Sequence, residues 1–141
     1  MIAVIDYGIG NTGSVVNMFK RIGVRAAVEA DPRNVSSASG IILPGVGAFD
    51  AAMQQLKKTG MDKAVEDAVF GKSIPVLGIC LGMQLLGTQS EEGSEQGLGW
   101  IPATIERIPE APGLKIPHMG WNLVDANQES QLGRDLAVDT R

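Results

Sequence analysis

The chain opens on an apolar run, Ile2-Ala3-Val4-Ile5, that stops at Asp6. A run that is apolar at every position predicts a short strand buried on both faces. Tyr7-Gly8-Ile9-Gly10-Asn11 follows as a glycine-bearing turn. Residues 12–22 then carry Val15, Val16, Phe19 and Ile22 at helical spacing, with Gly23 as a stop. The pattern recurs: residues 25–29 read as a second strand, Asp31-Pro32 as a loop and residues 40–44 as a third strand. Gly45-Val46-Gly47 is a loop, residues 49–58 and 61–70 are two amphipathic helices, and residues 73–79 are a fourth strand. Strands alternating with helices predict an α/β fold, a mostly parallel sheet covered on both faces. Ligands of such sheets bind beyond the carboxyl ends of the strands. The glycine-bearing loops at residues 7–11, 44–47 and 78–82 should therefore gather along one rim.

After Gly87 the texture changes. Residues 90–99 are polar and glycine-rich, a loop. Residues 100–108 and 123–125 are candidate strands, made irregular by Pro109, Pro112 and Pro117. Residues 128–141 are polar with weak periodicity and read as a connection toward something further on.

Composition narrows the function classes. A chain of 141 residues with 44% hydrophobic and 20% charged residues fits one soluble globular domain. A net charge of −4 argues against a nucleic-acid role, which needs a basic stripe. The single cysteine suggests a reducing compartment, and the N-terminus lacks a basic start, so no signal peptide is read there. No apolar run reaches membrane-spanning length, and cytoplasmic is the natural expectation. Residues 7–11 lack the third glycine of a dinucleotide loop and the lysine of a P-loop, and neither cofactor nor metal is expected.

The chemistry concentrates at Gly78-Ile79-Cys80-Leu81-Gly82, between the apolar run Ile74-Pro75-Val76-Leu77 and Met83-Gln84-Leu85-Leu86, which suits the first turns of a helix. Strand, Gly-x-Cys-x-Gly, helix is a nucleophile elbow with sulfur in place of oxygen. The glycines permit a sharp turn, and a helix N-terminus aimed at the sulfur favours thiolate. The competing reading is a buried cysteine between two packing glycines. A thiolate attacking an amide also needs a base, oxyanion donors and an orienting pocket. Leu81 offers its N–H, as the residue after the nucleophile. Gly45, Val46 and Gly47 offer flexible backbone for a second donor, unless that segment is merely a tight strand-to-helix turn. Gln84 lies about one helical turn after Cys80 and can share its cavity. Glu91 and Glu92 can meet a substrate ammonium or form a solvated acidic loop. His118 is the only histidine, and Pro117-His118-Met119-Gly120-Trp121-Asn122 suits a binding surface at least as well as a proton shuttle.

Four segments, in order, carry a resemblance: Asp6-Tyr7-Gly8-Ile9-Gly10-Asn11, Pro44-Gly45-Val46-Gly47-Ala48-Phe49, Gly78-Ile79-Cys80-Leu81-Gly82-Met83-Gln84 and Pro117-His118-Met119-Gly120-Trp121-Asn122. Together they resemble the glutamine amidotransferase subunits of imidazole glycerol phosphate synthase, within the class I (triad) glutamine amidotransferases. The resemblance implies a flavodoxin-like three-layer sandwich in which Cys80 attacks the side-chain amide of L-glutamine. It implies an oxyanion site at Gly45, Val46, Gly47 and Leu81, and glutamine held by Gln84 and Glu92. It further implies that ammonia passes to a (β/α)₈-barrel cyclase subunit in histidine biosynthesis. Asn11, His118, Met119, Trp121 and Asn122 would face that partner. The family's catalytic His and Glu lie in a His-Pro-Glu-type segment that these residues do not match. A single amidotransferase domain, 1–141, incomplete at its C-terminus and with little glutaminase activity alone, is the expectation. The rival expectations are a non-catalytic binding partner of a cyclase and an amidotransferase of a surface-sugar pathway.

Overall fold

A computed structural model describes residues 1–123 and 130–133. The chain divides into two compact units, Met1–Arg107 and Ile108–Arg141. The first holds a four-stranded, wholly parallel sheet of β1 (Ile2–Ile5), β2 (Ala26–Glu29), β3 (Gly40–Gly45) and β4 (Val76–Cys80), in the order β2-β1-β3-β4. Helix α1 (Thr12–Arg21) joins β1 to β2, and a 3₁₀ segment (Pro32–Ser37) joins β2 to β3. Helices α2 (Phe49–Thr59) and α3 (Met61–Glu66), with a π-helical turn (Asp67–Gly71), join β3 to β4. The first crossover moves one way along the sheet and the later ones the other. Right-handed connections then put α1 on one face and α2 and α3 on the opposite one.

Local chemistry explains the boundaries. Asn11 caps α1, its side chain accepting the Ser14 N–H at 3.0 Å. Lys20 and Arg21 sit in the last turn of α1, where cations suit the helix dipole. Gly60, at φ 73°, ends α2 in a conformation costly for other residues and splits it from α3.

The core lies on the α2–α3 face. Ile5, Ile41 and Leu43 from the strands pack with Phe49, Met53, Leu56, Met61 and Val65 from the helices. Each such large side chain, fully buried, contributes about 1.5–3 kcal/mol relative to an exposed one. No residue of α1 is fully buried, and Met18 and Ile22 are largely exposed.

Three expectations are corrected. The fourth strand begins at Val76, not residue 73, because Ser73 takes a positive φ of 56° and Pro75 has no N–H for a ladder. The helix after the elbow, α4, is only Leu81–Gln84. The Leu86 and Gly87 N–H groups bond three residues back, to Met83 and Gln84, which tightens and closes that turn before residues 83–86 can extend it. Residues 100–108 do not form one strand. Pro102 and Pro109 confine pairing to β6 (Thr104–Ile105), which runs parallel to β5 (Gln89–Ser90), at the start of the expected loop.

In the second unit the described residues form turns, including Leu114 N–H to Ala111 C=O at 3.0 Å. Leu123 is outside any strand, and residues 124 and 125 of that candidate strand lie outside the described residues, as do most of residues 128–141.

Candidate active site

β4 ends on Cys80, and α4 begins at the next residue. Cys80 has φ 55° and ψ −120°, a backbone state that costs on the order of 1–3 kcal/mol for a residue with a Cβ. The surroundings enforce it. A Cβ on Gly78 would lie 2.5 Å from Met83 Cα, and one on Gly82 would overlap the Leu43 carbonyl. Strand, helix and β3 therefore approach as closely as backbone allows, and the turn between them has no slack. The thiol is exposed, whereas Leu81 is buried. Cys80 is thus not the buried packing residue of the competing reading.

The last residue of β3, Gly45, pairs with Cys80 in the ladder. A Cβ at Gly45 would stand 2.8 Å from Gly82 N, 2.9 Å from Leu81 Cβ and 2.9 Å from the Tyr7 hydroxyl. Only glycine fits between these three. Val46 is exposed, and Gly47 takes a φ of 95° that favours glycine. The Leu81 N–H opens α4, where backbone donors lack an intrahelical partner. The N-terminal loop joins the same rim. The Tyr7 hydroxyl donates to the Pro44 carbonyl at 2.8 Å, and burial pushes its pKa up to about 12. A Cβ on Gly10 would rest 3.4 Å from Pro44 Cγ. All three glycine-bearing loops converge, as the order of elements predicts.

α4 has four residues and so sums few peptide dipoles.

Gln84 is half-buried at the end of α4, and Glu92 is exposed in the following loop. Glu91 is committed elsewhere: its carboxylate accepts the Arg107 N–H at 2.8 Å. The Glu92 N–H donates to Ser90 Oγ at 3.1 Å, and Ser90 is buried. The loop is held from α2 by Asp50, which accepts the Ser94 N–H at 3.0 Å and the Glu95 N–H at 2.9 Å. Those bonds hold the Asp50 carboxyl below its ordinary pKa. The Lys57 ammonium does the same for Glu95 at 2.8 Å.

His118, Met119, Trp121 and Asn122 form their own group in the second unit. The Asn122 amide nitrogen meets His118 Nε2 at 2.7 Å, while Met119 and Trp121 are 85% and 88% exposed. Asn11 is exposed in the first unit, where it caps α1. Among the described residues no cluster of His, Cys, Asp or Glu is arranged to hold a metal, and no helix is long and apolar enough to cross a membrane.

Sequence reasoning missed two residues. Tyr7 looked like part of a turn, and nothing in its neighbours signals a buried hydroxyl bonded across to Pro44. Asp50 falls in the first turn of the helix expected over residues 49–58, where an acid is ordinary and carries no signal of its own. The one available signal was Gly93-Ser94, a small pair suited to close approach by a carboxylate.

The family model for class-I glutamine amidotransferases matches residues 3–139. The chain is 50% identical over 129 residues to imidazole glycerol phosphate synthase subunit HisH 2 of Pseudomonas aeruginosa, covering 92% of this chain and 64% of that one. It is 45% identical over 141 residues to subunit HisH 2 of Methanococcus maripaludis, covering 100% and 70%. Against subunit HisH of Streptococcus gordonii it is 50% identical over 134 residues, covering 94% and 64%. The chain spans about two thirds of the length of these curated relatives. A solved structure described as a glutamine amidotransferase superposes with a TM-score of 0.64 at 20% identity, covering 76% of this chain and 57% of that one.

Proposed function

The chain belongs to the class-I glutamine amidotransferases, and from that premise we propose that it is the glutaminase part of an imidazole glycerol phosphate synthase. Cys80 Sγ attacks the side-chain amide carbon of glutamine, forming a C–S bond. The C–N bond then breaks, and the nitrogen leaves as ammonia carrying the proton that the thiol gave up. Water cleaves the thioester to give glutamate and restore the thiol. Leu81 N–H and the Gly45-Val46-Gly47 backbone supply the oxyanion donors. Gln84 and Glu92 hold the glutamine. Ammonia goes to a (β/α)₈-barrel cyclase subunit that Asn11, His118, Met119, Trp121 and Asn122 face. A reducing cytoplasm suits a free, exposed thiol that has to stay reduced. Residues 1–141 act together as amidotransferase polypeptide, with the second unit carrying partner contacts.

The observation that carries this reading is the exposed Cys80 at positive φ, paired in the ladder with Gly45. Exposed Trp121 and Met119 support the partner surface, since Trp and Met are enriched where proteins meet.

The test uses a diazoketone analogue of glutamine, which alkylates a thiol only when seated as the amide would be. Labelling of Cys80 that saturates with the analogue and is blocked by glutamine is the expected result, with no labelling of Cys80→Ala. Mixing with a cyclase subunit then measures association and glutamine turnover separately. Association with no labelling and no turnover supports a non-catalytic partner instead and overturns the glutaminase reading.

A further inference from the structure

We propose that Asp50 is a positioning residue for glutamine, locking the loop that carries Glu92 to the helix that follows the oxyanion segment. This rests on the proposed role of Glu92.

Asp50 is the second residue of α2, five positions after Gly45. Its carboxylate receives a concentrated set of bonds from a segment more than forty residues away. The Ser94 N–H reaches both oxygens at 3.0 Å, the Glu95 N–H reaches Oδ1 at 2.9 Å and the Ser94 hydroxyl reaches Oδ2 at 3.2 Å. The next turns of the same helix hold the loop again. Gln54 Nε2 and Lys57 Nζ meet the Glu95 carboxylate at 3.3 Å and 2.8 Å. Asp50, Gln54 and Lys57 are spaced to share one helix face. Gly93 closes the fit, because a Cβ there would overlap the Asp50 carboxylate.

The bonded segment, residues 93–95, begins immediately after Glu92. On the other side Glu92 is fixed through its own N–H to Ser90 Oγ, and Ser90 is buried. Glu92 therefore sits between two anchors, one in the β5 strand and one on α2. The second anchor moves with the start of α2, and so with the segment proposed to bind the oxyanion. The Asp50 carboxylate, nearest to Glu92 of the α2 groups that hold this loop, thus sets the distance between the group that holds the substrate and the groups that stabilise its reacting end. Asp50 itself touches no reacting atom.

The experiment follows Cys80 labelling in the 141-residue protein with the diazoketone analogue, recording half-saturating concentration and limiting rate, and with iodoacetamide, which needs no glutamine site. For Asp50→Asn the half-saturating concentration should rise about tenfold, the scale of losing hydrogen bonds to a charged group. The limiting rate and the iodoacetamide rate should not change. Gly93→Ala leaves the carboxylate intact but forces the loop off it, and should give the same split. It keeps the question decidable if Asp50→Asn folds poorly. A folded Asp50→Asn or Gly93→Ala with the parent half-saturating concentration overturns the proposal, as does a parallel fall in the limiting and iodoacetamide rates. A parent protein that reacts with iodoacetamide but never saturates with the analogue overturns the glutamine reading itself, and this proposal with it.

Discussion

Alanine in place of Gly78 puts a methyl group where the first turn of α4 already sits. The added Cβ would lie 2.5 Å from Met83 Cα, 2.6 Å from Met83 N and 2.7 Å from Gly82 O. Ordinary contact begins at 3.4 Å, so strand and helix must separate by about 0.9 Å. All three obstructing atoms are backbone, which cannot swing aside as a flexible side chain would. The cost should therefore approach the upper end of overpacking, about 3 kcal/mol. At a urea slope of about 1.5 kcal/mol per molar, the unfolding midpoint drops by about 2 M. Cys80 and Leu81 lie in the displaced turn, and a misplacement of about 1 Å slows a positioned reaction about 100-fold. Urea unfolding and the ratio of diazoketone to iodoacetamide labelling read the two effects. Gly13→Ala is the control. Gly13 lies in α1 with nothing within 4 Å of an added Cβ, so that change should stabilise by about 0.5 kcal/mol. If Gly78→Ala keeps the parent midpoint and labelling ratio, close packing of β4 on α4 does not fix the thiol, and the account of the elbow fails.

Cys80→Gly should be more stable than Cys80→Ala by about 1 kcal/mol, because only the second retains a Cβ at positive φ. Equal urea midpoints for the two would show that the turn is not strained. The acid dependence follows from three carboxyls held below their ordinary range. Arg33 lowers Asp31 to about 2, backbone N–H groups lower Asp50, and Lys57 lowers Glu95. A carboxyl whose folded pKa is depressed adds stability that is fully present above its unfolded pKa and is lost as pH falls through the folded one. These three should thus contribute a constant share above about pH 5 and lose it as pH falls below the ordinary carboxylate range, for Asp31 down to about pH 2. Asp50→Asn should flatten the fall in urea midpoint across that window, and parallel curves for parent and variant would contradict the assignment.

The alternating part of the chain was legible because its elements are set by local rules. Ile2 to Ile5 form β1 without a residue's difference, Asn11 caps the start of α1, and Gly23 and Gly60 follow the ends of α1 and α2 through their backbone freedom. The rim was legible too, since parallel connections leave little choice about where strand-end loops meet. Past Gly87 the sequence was a poorer guide. Two-residue strands such as Gln89–Ser90 carry no periodicity, and their pairing with Thr104–Ile105 is decided by contacts far along the chain. The same holds within the site. Cys80 and Gly45 are announced by flanking glycines, whereas Tyr7 and Asp50 act through partners 37 and 44 positions away. Glu91 and Glu92 look alike in sequence, and it takes the fold to separate them, through the bond from the Arg107 N–H to the Glu91 carboxylate.

The backbone state of Cys80 also limits which nucleophiles this scaffold can carry. A side chain branched at Cβ crowds a positive φ far more than an unbranched one. Anyone redesigning the elbow around oxygen chemistry therefore has serine available and threonine effectively closed off, whatever the intrinsic reactivity of the two alcohols.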